Sequence, residues 1–150
     1  MSNGITVIKR NGDKDSLNLS KVHKMVEHAC EGLAGVSASQ VEISSGIQFF
    51  DGMKTSQIQE ILVKSASDLI SLENPNYQYV ASRLLLFDLR KQLNNHYEDH
   101  PFILDHVKKC ADLDVYDKTI IDKYTEDEWK EIDSYIDYNR DYLFSYAGMR

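Results

Sequence analysis

Cysteine occurs only twice in the 150 residues, at Cys30 and Cys110, and never as a CxxC pair. That excludes a four-cysteine zinc ribbon and a dense disulfide framework, and two isolated free thiols fit a reducing, cytoplasmic setting. No run of about 18 apolar residues is present to span a membrane, and the first twenty residues hold no apolar signal segment. The seven glycines never fall into GxxxxGK[ST] or GxGxxG, so the common phosphate-cradling loops are missing. Five histidines join no cysteine pair and no HExxH, and read as solvated or locally bonded imidazoles. Carboxylates are plentiful, but "TEDEWKEID" reads as a solvated face around a Trp129 anchor rather than a catalytic dyad.

Hydrophobic residues at 42% and charged residues at 27% describe a chain able to bury a core. Its formal charge of -7 is one-ended. Residues 1–95 carry 10 acids and 10 bases, whereas residues 96–150 carry 14 acids and 7 bases. An extended basic surface for nucleic acid is therefore lacking, while the balanced first part leaves room for a small anionic ligand.

Ile5, Val7 and Ile8 suggest a strand, Asn11-Gly12 a tight turn, and Leu17 with Leu19 a returning strand. Ser20 is then placed to cap a helix with apolar face Val22, Met25, Val26, Ala29 and Leu33, closed by Gly32 and Gly35. Ser37 and Gln40 form a capping box for a second helix running through Ile47 to Phe50, ended by Asp51-Gly52. Thr55 or Ser56 opens a third, with the stripe Ile58, Ile61, Leu62, Ala66, Leu69 and Ile70. Asn74-Pro75 breaks the chain before a fourth, which turns Val80, Ala81, Leu84 and Phe87 inward. Periodicity fails over residues 94–101, which places a domain boundary at 95/96. Beyond it Phe102, Ile103, Val107, Cys110 and Leu113 suggest one helix, and Thr125 with Glu128 caps another carrying Trp129, Ile132 and Ile136. The tail is short for an independent core and reads as the truncated opening of something larger.

The cations stand out against this frame. Lys9 and Arg10 are adjacent at a strand end, Lys21 lies in the first turn of the first helix, and Lys91 lies late in the fourth. A helix N-terminus offers free N–H groups and a favourable dipole to an anion, and cations gathered there suit a polyphosphate. Spacing alone does not separate such a site from lysines scattered over a surface.

Three stretches sharpen the choice: "VIKRNGDKDSLNLSKVHKMVEHACEGL", "GIQFFDGMKTSQIQEILVKSASDLIS" and "PNYQYVASRLLLFDLRKQ". In this order and spacing the chain resembles the ATP-cone at the N-terminus of the large subunit of class I ribonucleotide reductase. Its tail resembles the helical segment that leads from the cone into that enzyme's catalytic barrel. The resemblance implies a mainly α (α+β) fold, a hairpin lid over a four-helix bundle. It implies an allosteric module that binds ATP or dATP with Mg2+, and partners in the rest of the large subunit and in the small subunit.

The same resemblance makes Lys9 and Lys91 phosphate contacts, with Arg10 flanking them. It makes Asp15, Ser16, Leu17, Asn18, Leu19, Ser20 and Lys21 the segment embracing the nucleotide, Asp15 and Asn18 serving base or ribose and Lys21 phosphate. Thr55 opens the helix that faces the phosphates. Two positions depart from the family pattern. Asp15 stands where Glu is common, one methylene shorter. Gln59 stands where His is expected in members that respond strongly to dATP, and a neutral amide offers a phosphate less. The radical and redox cysteines of the reductase are absent, so the chain is not expected to turn over ribonucleotides alone.

Overall fold

The computed structural model describes residues 4–150. Strand β1 (Thr6–Ile8) pairs antiparallel with β2 (Lys14–Ser16), Val7 facing Asp15, and Val7 turns into the core. The hairpin loop is three residues, Arg10 to Gly12, because Lys9 N–H donates to Asp13 O at 2.8 Å and Gly12 N–H to Lys9 O at 2.9 Å. Only Gly12, at φ +89°, takes the left-handed backbone that a two-residue Asn-Gly turn would ask of both residues. Leu17 still pairs, its N–H donating to Ile5 O, but Leu19 already belongs to the first helix and is largely exposed.

Helix α1 (Leu19–Cys30) therefore begins earlier than the sequence suggests. Its cap is Asn18, whose Oδ1 accepts from Lys21 N–H at 3.1 Å, and Ser20 is a first-turn residue. An Asn cap of this kind is worth about 1 kcal/mol. Met25, Val26 and Ala29 form its buried stripe. Helix α2 (Ala38–Gly46) starts at Ser37 as expected, but half of the anticipated box is rerouted. Ser37 Oγ accepts from Gln40 N–H, while the buried Tyr77 hydroxyl accepts from Ser37 N–H and donates to Gln40 Oε1, both at 3.0 Å. The helix stops at Gly46, and Ile47 and Phe50 lie exposed beyond it.

A third strand, β3 (Met53–Lys54), pairs parallel with the other edge of β1, giving the order β2-β1-β3. It is only two residues long and carries no periodic signature. Asp51 extends it: its Oδ1 accepts from Thr6 N–H at 2.7 Å, and Gly52 N–H donates to Thr6 O. Helix α3 (Thr55–Asp68) follows without a gap and packs along α4 (Tyr77–Asn94), the longest element. Leu62, Val80, Leu84 and Phe87 meet Val26 and Val41 in one core with no solvent exposure. Each such side chain contributes roughly 1.5–3 kcal/mol on burial. Arg83 of α4 donates to Ala29 O at 3.2 Å and Glu31 O at 2.7 Å, closing the carbonyl end of α1 with a cation.

Past the left-handed Asn95, α5 (Ile103–Asp112), α6 (Thr119–Asp122) and α7 (Glu126–Ser134) enclose a small second core of Leu104, Val107 and Trp129. The Thr125–Glu128 box forms in both directions. Leu113 and Ile136 are exposed rather than packed. A 3-10 segment (Tyr138–Leu143) and α8 (Tyr146–Met149) then fold back onto α4, so that Tyr142 and Tyr146 join the first core. Arg90, a buried cation on α4, receives this return through Asp141 at 3.3 Å.

Candidate nucleotide site

A cavity of about 610 Å³ lies between the hairpin, α1, α3 and α4. Its floor is apolar: Val7, Met25 and Ile58 are buried core residues that also face it. Leu17 and Val22 continue the apolar lining, while Lys9, Arg10, Lys21, Lys24 and Lys91 supply cations from three different elements. Asp15, Glu98 and Asp99 are its carboxylates. Five cations against three carboxylates give this recess a net positive lining in an acidic chain.

Of the residues expected to embrace a nucleotide, Lys9, Arg10, Asp15, Ser16, Leu17 and Asn18 line the cavity from the hairpin side, with Lys21, Thr55, Gln59 and Lys91 from the helices. Leu19 and Ser20 do not: the early start of α1 turns both outward, and both are exposed.

The hairpin cations are held by carboxylates. Lys9 Nζ lies 2.6 Å from Asp15 Oδ2 across the two strands. The shared hydrogen bond and charge raise the Lys9 ammonium above its ordinary range and lower the Asp15 carboxyl below its own. Arg10 is ion-paired to Asp88 on α4, and the second Asp88 oxygen accepts from Gln92 at 2.8 Å. This pair straps the loop tip to the bundle.

Lys91 is different. Its Nζ donates to Gln59 Oε1 and contacts Met25 Sδ, both at 3.2 Å, and sits 5.4 Å from the centre of the Tyr97 ring. None of these partners carries a negative charge. Burial pushes the ammonium below its usual range, Asp88 opposing and Arg10 reinforcing the shift. Gln59 is itself buried, its Nε2 donating to Leu84 O at 2.8 Å, so its carbonyl oxygen is fixed toward Lys91. Lys91 thus lines the cavity as a cation whose contacts are all with neutral groups.

The family model for the ATP cone domain matches residues 5–92. The chain belongs to the ATP-cone family. Over 150 residues it is 46% identical to the ribonucleoside-diphosphate reductase subunit alpha of Haemophilus influenzae, and equally to the ribonucleoside-diphosphate reductase 1 subunit alpha of Escherichia coli K12. Each alignment covers 100% of this chain and 20% of the relative. The corresponding subunit of Enterobacteria phage T4 is 39% identical over 146 residues, 96% of this chain and 19% of that protein. The chain thus spans about a fifth of the length of these relatives.

Several parts of the cone's cavity escaped the sequence reading. Lys24 lies one turn after Lys21 on the same helix, a spacing that does mark a shared face. Met25 and Ile58 read only as core positions, because a buried floor and a core have the same periodicity. The stretch from Asn95 to Asp99, which forms one wall, follows the residues matched as ATP cone and shows no pattern at all. Among the described residues no group of three or more His, Cys, Asp or Glu is arranged to hold a metal ion, and no helix is long and apolar enough to cross a membrane.

Proposed function

We propose that this chain is the activity-regulating part of a ribonucleoside-diphosphate reductase large subunit, and that its cavity takes ATP or dATP as allosteric effector. The observation that carries the reading is Lys91, a half-buried ammonium with only neutral partners, facing a recess that four other cations also line. A triphosphate would supply the missing anion, drawing charge-assisted bonds from Lys91, Lys9, Arg10 and Lys21. Thr55, at the first turn of α3, adds a hydroxyl beside a helix N-terminus. The apolar floor suits a base, with Asn18 and Asp15 available to base or ribose. Magnesium would ride on the phosphates and water, as it does where no carboxylate cage exists.

In this reading residues 1–95 form the cone and residues 96–150 open the path toward the catalytic part. The cysteine chemistry of reduction belongs to the remainder of the large subunit, and the small subunit is its further partner. Gln59 fills the place of an expected His with a group that cannot become cationic, which favours ATP binding over a strong response to dATP.

Titration calorimetry with ATP and with dATP in magnesium buffer tests the reading. Saturable binding near one equivalent is expected, falling at least tenfold in the combined Lys9→Ala, Lys91→Ala variant. Heat-silent titrations of the folded wild type with both nucleotides would overturn it, and unchanged affinity in the variant would move the site elsewhere.

A further inference from the structure

The stretch after the cone's last helix is built into the cavity wall and is also wired to the segment that leaves the domain. Asn95, at φ +65°, ends α4 and turns the chain back, so that Tyr97 lies over the end of its own helix. The Tyr97 ring stands 5.4 Å from Lys91 Nζ and 5.1 Å from the Phe87 ring, and Phe87 in turn faces Tyr142 at 6.5 Å. The backbone of Tyr97 has its own tie: Arg90 Nη1 donates to Tyr97 O at 3.5 Å.

Arg90 is the junction. The same Nη1 donates to the Tyr142 hydroxyl at 3.4 Å, while Nη2 pairs with Asp141 at 3.3 Å. Its guanidinium lies 5.6 Å from the Tyr142 ring, and that of Arg83 lies 5.0 Å from it. One buried side chain thus holds the cavity wall on one side and the returning 3-10 segment on the other. Aromatic packing through Phe87 runs parallel to it.

Resting on the nucleotide reading, we propose that Tyr97 is a positioning residue that reports whether the cavity is filled. The ring and the Gln59 amide share the Lys91 ammonium; a bound phosphate draws the ammonium away from both, and the released wall loosens the Arg90 grip on residues 138–146. The exchange is physically balanced. A cation–π contact of this kind is worth well under a charge-assisted bond to phosphate, so an entering polyanion wins Lys91. Glu98 and Asp99, on the same wall, are then repelled by the anion and push in the same direction. A ring that gains or loses its cation with occupancy gives two distinct arrangements of one element, which coupling between sites requires.

Amide hydrogen exchange tests this on the whole chain with and without Mg-ATP, in the wild type and in Tyr97→Leu, which keeps apolar bulk but removes the π face. Circular dichroism and calorimetry on each protein establish folding and occupancy. In the wild type, saturating ATP is expected to speed exchange in peptides covering 138–146 by roughly three- to tenfold. In Tyr97→Leu those peptides are already fast without nucleotide and no longer respond, each protein being compared at the ATP concentration that calorimetry shows to saturate it. Arg90→Lys, which keeps the charge but loses the fork, gives the same loss of response. A wild type that binds ATP without change at 138–146, or a Tyr97→Leu chain that responds like wild type, overturns the proposal. A wild type that binds no nucleotide removes the effector reading instead. The relay is then judged on the ligand-free chains, where equal exchange at 138–146 in wild type and Tyr97→Leu overturns it.

Discussion

The Lys91 ammonium and the Gln59 carbonyl oxygen face each other at 3.2 Å, and the other end of Gln59 is bonded to the backbone of Leu84. A neutral amide thereby orients a cation that the fold would rather not contain, since burial lowers its pKa. Between that depressed pKa and the ordinary lysine value the unfolded chain binds more protons than the folded one. Stability contributed by this group therefore rises with pH across that interval and is at its least below the depressed value.

Replacing Lys91 by Met follows from this. A buried charge with neutral partners is removed and a similar apolar volume is kept, so thermal stability is expected to hold or rise. ATP affinity is expected to fall about tenfold or more through the lost charge-assisted bond. Differential scanning fluorimetry and calorimetry on one preparation read both quantities. Parallel losses of stability and affinity would show that Lys91 supports the fold instead of serving the cavity.

The Lys9–Asp15 pair gives a pH signature. Asp15 has a lowered folded pKa, so its contribution is present above the unfolded value of 3.8 and is lost as pH falls through the lowered value. Lys9 has a raised one, so its contribution is present below 10.5 and is lost as pH climbs through the raised value. The pair thus holds across the whole neutral range. Carbon-detected NMR titration should show the Asp15 carboxyl ionising below 3.8 in the wild type and returning toward it in Lys9→Met. An Asp15 titration indifferent to Lys9→Met would dissolve the pair.

Tyr77→Phe removes one oxygen and orphans two groups, the Ser37 N–H and the Gln40 Oε1. The ring is buried, whereas Gln40 is exposed and its Oε1 can turn to water, so the part-buried Ser37 N–H bears most of the loss. The expected cost is about 1–3 kcal/mol, a fall in melting temperature of roughly 3–10 °C, with faster exchange at the start of α2. ATP binding should be retained, because none of Tyr77, Ser37 and Gln40 lines the cavity.

Much of the helical frame is legible from residue pattern because each helix satisfies its own backbone. The stripes Ile58–Leu62–Ala66 and Val80–Leu84–Phe87 announce buried faces, and Ser37 and Thr125 mark helix starts by local hydrogen bonds. Errors fall where two local solutions compete. Asn18 and Ser20 are both good caps, and the pairing of Leu17 with Ile5 decides for Asn18 by ending the strand there. β3 is beyond pattern, since two residues cannot show a period and its existence depends on the open edge of β1.

The cavity divides in the same way. Lys9, Arg10, Lys21 and Lys91 are identifiable as a group because charge type and resemblance survive in one dimension. Their partners are not, because Asp88 lies 78 positions from Arg10 and Gln59 lies 32 from Lys91. By itself the sequence determined the four helices of the cone, the hairpin, the family resemblance and four of the five cations of the recess, Lys24 being missed, and these rest on short-range pattern. Tertiary structure alone decided which of these cations are paired with a carboxylate, as Lys9 and Arg10 are, and which is buried among neutral groups, as Lys91 is. That choice depends on distances across elements, on burial, and on a wall folded back by the left-handed Asn95, none of which the order of residues encodes locally.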